Sequence, residues 1–550
     1  MTPDPPEAVE TSPQDSASAF VRNTTVMSVG TTLSRLTGFL RLAAMTYAIG
    51  VTETRLADAY NIANITPNII YELALGGVLT SVFVPVFVEW LQTKGPEEAW
   101  DLARRMFTLT VLALTAIAVL AIVFAPWIIR LYTIRLHQDR AATQALATFF
   151  LRWFMPQIVF YGIGAVAGGL LNAHRRFAAP MFAPILNNLL VIATFVVYAQ
   201  LSGPAAGSGL LVTGAQRLLL AVGTTLGVVG MTVALWPAIR GVGFRFRWRT
   251  GFRHPAVVRI AHLAKWVVVY VVANQLGYLV VLVLATPTRG GYTAYAVAFI
   301  VFQLPHSIFA VSIFTALLPA MSSRWTEHDV AGFRALLSQG IRTTAAILLP
   351  AALGYIVLGH EIVRLLLEHG VTGQASGELV ANILGFFAIG LFPFSLFQLL
   401  LRAFYSMQDT RMPALINIAA VCLNIAVNVL YFFTFHLGVR GLALGHATAY
   451  TFASITALML LRRRLGGLDG RAVWVSVGRA FVAALATGGI AWAVARAMGH
   501  IVDPASLGGA AAQVLVAVAA GLLAFGVAAR ILHMDEVDSV RRHLLARWRR

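Results

Sequence analysis

Apolar runs of bilayer-spanning length follow one another along almost all of this 550-residue chain. Fourteen are read, with boundaries good to a few residues: 24–49, 57–91, 106–132, 144–171, 178–200, 217–239, 256–286, 292–322, 335–358, 377–407, 412–435, 441–461, 474–497 and 508–532. A helix of about 20 residues crosses the hydrocarbon core. In lipid the backbone must satisfy its own hydrogen bonds, which leaves helices or closed barrels. Barrel strands alternate and read weakly, so runs this strong specify an all-α integral membrane protein. Charged residues make up 12% of the chain, against about 25% in a soluble domain.

The first run carries two arginines, Arg35 and Arg41, in its interior. Each costs at least ~2.5–3.5 kcal/mol at that depth unless a partner or a watered cavity receives it. Six residues of helix leave the two about 120° apart in direction and about 9 Å apart along the axis. Both can line one wide cavity facing an anionic ligand; the alternative is snorkelling or pairing inside the bundle.

The formal charge of +18 does not point to nucleic acid, because the arginines sit in short loops between runs. Loops after even-numbered runs hold Arg104 and Arg105, Arg175 and Arg176, Arg245 to Arg253, and Arg462 to Arg464, while loops after odd-numbered runs are poorer. The positive-inside rule then places both termini in the cytoplasm. Residues 1–22 read as a disordered cytoplasmic tail with no cleavable signal peptide, and 534–550 as a basic cytoplasmic tail. The single cysteine, Cys422, excludes an internal disulfide.

Two weak matches share nearly one offset. Pro413 follows Pro180 by 233 residues in similar contexts, and Pro319 follows Pro85 by 234. Runs 1–6 and 7–12 therefore read as duplicated six-helix lobes, 23–240 and 255–463, with helices 13 and 14 (474–533) outside the repeat. An even number of spans inserts both lobes the same way up, a parallel repeat of the kind transporters use.

Several polar residues lie within the runs. Glu72 falls near the depth of Arg35 and could neutralise it or hold runs 1 and 2 together. Asp58 reads as a solvated helix end, or as a gate that clasps an arginine in one conformation. Pro67 with Asn68, and Pro305, are expected helix breaks. Arg259, His262 and Lys265 recur along one side of run 7, as an interfacial stripe or an electropositive lining. Asn274, Asn424, Asn428 and Thr448 offer four neutral oxygens, for a sodium ion or as interhelical glue; His306 and His446 read as structural. No Walker, zinc or nucleophile motif is present, so no metal, cofactor or direct ATP use is expected. An ion gradient, the membrane potential or the substrate's own gradient must drive any movement.

The stretches S-R-L-T-G-F-L-R (34–41), A-D-A-Y (57–60), P-N (67–68) and G-x-L-x-S-x-F-V-P (77–85) resemble the opening of the MurJ (MviN) lipid II flippases. These belong to the multidrug/oligosaccharidyl-lipid/polysaccharide exporter superfamily. The likeness continues through F-Q-L-P (302–305) and A-F-Y-S-M-Q-D-T-R-M-P (403–413). It implies two lobes around a cationic V-shaped cavity and a lipid-tail groove at helices 13–14. It also implies outward movement of lipid-linked peptidoglycan precursor across the bacterial cytoplasmic membrane by alternating access. By resemblance, Arg35 and Arg41, helped by Lys265, bind the pyrophosphate and headgroup, and Asp58 is the acidic residue of the second helix. Gram-negative members carry an arginine where this chain has Tyr71 and Glu72, and an arginine and a glutamate where it has Ile300 and Gln303. Members that bind sodium use carboxylates where this chain has Asn274 and Asn428. Other readings are a flippase for a different undecaprenyl-pyrophosphate-linked glycan, a multidrug/cation antiporter, and a scaffold among other cell-wall synthesis proteins.

Overall fold

The computed structural model describes residues 13–75, 83–174, 176–202, 213–251 and 254–534. Every regular element among them is helical. The first half holds α1 (Pro13–Ile49), α2 (Leu56–Leu75), α3 (Val84–Thr93), α4 (Pro96–Tyr132), α5 (Arg140–Phe154), α6 (Gln157–Ala173), α7 (Ala178–Ser202), α8 (Gly214–Val233) and α9 (Trp236–Gly241). The second holds α10 (Pro255–Ala285), α11 (Gly291–Pro305), α12 (Val311–Thr326), α13 (Val330–Leu367), α14 (Gln374–Ile389), α15 (Leu391–Ser406), α16 (Arg411–Phe433) and α17 (Val439–Arg464). Then α18 (Gly470–Ile501) and α19 (Leu507–Ile531) pack on each other and on α13. Among the described residues, eleven helical stretches are long and apolar enough to cross a membrane, and α14–α15, bent by 48°, makes a twelfth. Large apolar side chains such as Val123, Trp127, Leu523 and Ile531 are more than 55% exposed, as a lipid-facing surface requires.

Helix breaks follow local chemistry. Pro305 ends α11, and a π-helical stretch, His306–Ala310, leads into α12. The break expected at Pro67 and Asn68 does not occur: α2 passes through Pro67, and Asn68 Nδ2 donates to the Asn64 carbonyl at 3.2 Å. A side chain thus satisfies backbone next to the missing amide. Run 7 is the unbroken 31-residue helix α10, which has no proline beyond its first position. Breaks also fall where none is expected, at Met155–Pro156 between α5 and α6 and at Ala234–Leu235 before Pro237. Helix α1 includes residues from Pro13 onward, inside the expected tail of 1–22. Residues 535–550 of the expected basic tail lie outside the described residues.

The cores show how the halves meet. At the end holding loops 50–55, 286–290 and 368–373, one continuous core joins both halves, from Ile49, Tyr60 and Phe150 to Leu282, Tyr292 and Phe387. We term this the seam. At the opposite end the core divides. One part (Phe87, Leu102, Leu170, Phe244) belongs to the first half, the other (Phe333, Leu400, Phe404, Leu461) to the second. Helix α10 straddles them: Ala256 and Ile260 pack in the first-half core, while Gly277 lies against Val421 of α16.

Candidate functional site

The seam is fastened by polar groups. Asp58, in the first turn of α2, is fully buried. Its Oδ2 accepts Gly290 N–H at 2.8 Å and Arg55 Nη1 at 3.3 Å, and its Oδ1 accepts the Thr293 hydroxyl at 2.9 Å. Arg55 also donates to the carbonyls of Thr286, Pro287 and Thr288 at 3.0–3.2 Å. One ion pair therefore ties the start of α2 to the α10–α11 turn. Gly290 holds φ +68°, and a Cβ there would lie 2.8 Å from Thr52 Cα, so only glycine fits the turn. The solvated-end reading of Asp58 is corrected: neighbouring loops enclose it, and it clasps Arg55.

Glu53 makes a second fastening. Its Oε1 accepts Gly373 N–H and the Ser376 hydroxyl, each at 2.7 Å, and its Oε2 accepts Val51 N–H at 2.7 Å. The hydroxyls of Thr52 and Ser376 are 2.6 Å apart, and Thr372 donates to the Thr46 carbonyl at 2.7 Å. Arg135 adds a cation–π contact, 4.4 Å above the Phe433 ring of α16. Sequence reasoning missed Glu53 and Arg55 because each reads as an ordinary loop charge.

Below the seam, Arg41 lines a cavity of about 290 Å³ in the first half, with Asn61, Asn64, Asn68, Gln157, Tyr161 and Asn187. Gln157 Oε1 and Asn187 Oδ1 are buried there without a hydrogen-bond partner. Asn188 of α7 holds α1 in place, donating to the Ser34 carbonyl at 3.2 Å and the Thr37 hydroxyl at 3.0 Å. The recurrence of Asn61, Asn64 and Asn68 along one side of α2 was the signal that could have revealed this pocket. Arg35 is exposed and is not among the residues that line this pocket. Of the two arginines, only Arg41 lines it.

Other expected site residues separate. Glu72 is exposed and makes no ion pair among the described residues, so the pairing with Arg35 is not formed. Arg259 pairs with Glu89 of α3 at 2.7 Å; the side chains of His262 and Lys265 lie outside the described residues. Asn424 accepts from Asn428 Nδ2 at 2.9 Å, the Thr448 hydroxyl lies 3.2 Å from that of Tyr431, and Asn274 donates to the Tyr270 carbonyl at 2.8 Å. No cluster of three His, Cys, Asp or Glu side chains that could hold a metal occurs among the described residues.

A many-spanning helical bundle, fastened at one end, divided at the other and carrying an arginine in a polar pocket among its helices, is the architecture of a membrane transporter. The family model described as lipid II flippase MurJ matches residues 45–505, and the chain belongs to that family. It is 27% identical over 411 residues to the probable lipid II flippase MurJ of Rhizobium meliloti (strain 1021), covering 73% of this chain and 74% of that one. With the protein of that description from Vibrio cholerae it shares 26% identity, covering 85% and 88%. A solved structure of lipid II flippase MurJ in an inward closed conformation superposes with TM-score 0.75 at 20% identity, over 93% of this chain and all of that one. An inward-facing MATE family multidrug transporter of the MOP superfamily gives 0.64 at 14%, over 78% and 94%.

Proposed function

We propose that this protein turns lipid II, the lipid-linked peptidoglycan precursor, from the inner to the outer leaflet of the bacterial cytoplasmic membrane by alternating access. The observation that carries the reading is Arg41, set among amides in a pocket at membrane depth beneath a fastened seam. An arginine offers a phosphate paired donors and stays charged in a dry site. The seam faces outward in this reading and the divided end inward. The loop arginines orient it so, with both termini in the cytoplasm. Counting α1 and α2–α3 beside the twelve apolar spans gives fourteen, in two parallel six-helix lobes (23–240 and 255–463) followed by helices 13 and 14.

Arg35, exposed on α1, receives the pyrophosphate in the cleft and Arg41 holds it at depth, with Lys265 as a further cation. Release of the Asp58 and Glu53 fastenings opens the outer side. Outward movement of negative charge is favoured by an inside-negative potential, by ~2.3 kcal/mol per charge per 100 mV. Sodium coupling at Asn274, Asn424, Asn428 and Thr448 has less support, because none of them carries a negative charge and the Asn424 oxygen is engaged by Asn428. The fold likeness to MATE transporters keeps a cation antiporter in view, but Arg41 repels a cationic drug. A flippase for another undecaprenyl-pyrophosphate-linked glycan shares the phosphate chemistry and differs in headgroup contacts.

The test is rescue of a bacterium depleted of its own lipid II flippase. Wild type rescuing while an equally abundant Arg35→Ala fails supports the reading. A well-expressed wild type that fails redirects it to another lipid-linked glycan.

A further inference from the structure

The second half contains a polar pocket of its own, of about 240 Å³. Four residues lining the first pocket, Arg41, Met45, Asn187 and Val191, correspond at one offset to Asn274, Tyr278, Ala420 and Asn424 lining the second: 274 − 41, 278 − 45, 420 − 187 and 424 − 191 all equal 233. The same offset separates Pro180 from Pro413. Tyr60 and Tyr295 add a tyrosine to each pocket from α2 and α11. Positions on α1, α2 and α7 that recur on α10, α11 and α16 make this a duplicated pocket, and its chemistry has diverged. Asn274 stands where Arg41 stands in the first, and no Asp, Glu, Lys or Arg lines the second.

The second pocket is walled by the rings of Tyr278, Tyr295, Phe299 and Tyr450. Asn417 Nδ2, on a residue 3% exposed, and His446 Nε2 are buried there without a partner. Buried polar groups are nearly always paired, so both await a ligand group or water. A phosphate finds no cation here. A sodium ion needs several oxygens converging on one point; the Asn424 oxygen is already engaged by Asn428, and the unpartnered Asn428 Oδ1 lies against Gly445, outside the residues that line this pocket. A pyranose ring meets the requirement: its C–H face lies on aromatic walls, and its hydroxyl and acetamido groups pair with amides and imidazole. The volume is below the ~300–1,000 Å³ of drug-sized sites, which suits one ring rather than two. Phe299 and Ile300, consecutive on α11, face one pocket each. The pockets therefore lie about one helix width apart, on the order of 10–12 Å.

We infer that the second pocket is a subsite for one neutral sugar ring of the substrate, occupied while Arg41 holds its phosphate; this rests on the flippase reading above. The experiment uses the full chain in lipid nanodiscs and two probes, undecaprenyl pyrophosphate and lipid II. Affinities are measured for wild type, Asn417→Leu, Arg41→Gln and Ala420→Val, the last narrowing the pocket without removing a polar group. Asn417→Leu and Ala420→Val are expected to weaken lipid II binding about tenfold, the scale of one or two lost hydrogen bonds, and to leave undecaprenyl pyrophosphate within twofold. Arg41→Gln weakens both probes. Unchanged lipid II affinity in folded Asn417→Leu and Ala420→Val overturns the subsite, as does equal loss of both probes. Sodium-dependent binding of both probes, abolished by Asn417→Leu, also overturns it in favour of an ion site. Wild type binding neither probe defeats the flippase reading itself.

Discussion

Asp58 of α2 accepts the Thr293 hydroxyl of α11 at 2.9 Å, across the line where the two halves meet. With the Arg55 ion pair beside it, this carboxylate closes one end of the bundle at a fully buried point. Removing one partner of a buried pair strands the other, at about 3–5 kcal/mol. Asp58→Ala should therefore lower the melting temperature in detergent markedly. The double variant Asp58→Leu/Arg55→Met should be less harmful than the sum of its single changes. Additive losses would show that the two do not act as a pair.

The Thr52 and Ser376 hydroxyls, 2.6 Å apart, give a way to lock the seam. Thr52→Cys/Ser376→Cys should crosslink under oxidation, stop transport, and regain it on reduction. A crosslinked protein that transports at the wild-type rate would rule out opening at this end.

Gly290 occupies φ +68° against Thr52. Gly290→Ala should loosen the seam, raising labelling of a cysteine placed at Thr293 by a water-soluble maleimide several-fold. Gly438 also has positive φ, but a Cβ there would meet nothing within 4 Å. Gly438→Ala therefore costs backbone strain alone and should leave that labelling unchanged.

Asp329 caps α13, and the Gly332 N–H it accepts, aided by Arg324, holds its carboxyl below the usual 3.8. A depressed pKa contributes stability above the unfolded value, lost as pH falls through the folded one. Asp329→Asn should thus be less stable than wild type at neutral pH. The difference should shrink below pH 3.8 and vanish below the folded pKa, as followed by thermal melts across pH 2–7. A difference constant across that range would contradict the assignment.

Much of this was legible because membrane chemistry writes itself plainly. Arg35 and Arg41 stood out by their cost in lipid, and Pro305 marked the end of α11; Asp58 read first as a solvated helix end and is in fact buried. What sequence could not give was direction and partner. Nothing in Glu53 distinguishes a solvent-facing loop carboxylate from one that takes the amide of Gly373, because that amide is 320 residues away. Glu72 matched Arg35 in depth yet faces elsewhere, since depth is read from position and azimuth depends on packing. Pro67 and Pro156 look alike in sequence, but only the second coincides with a helix break.

The most direct test of the central claim is outward movement of lipid II in proteoliposomes made from the purified chain, comparing wild type with Arg41→Gln and Arg41→Lys at equal protein density. Wild type should expose lipid II to an external probe, faster under an inside-negative potential. Arg41→Gln should lose at least tenfold, and Arg41→Lys should recover only part, because an ammonium cannot give phosphate the paired donors of a guanidinium. Undiminished movement with Arg41→Gln would contradict the account.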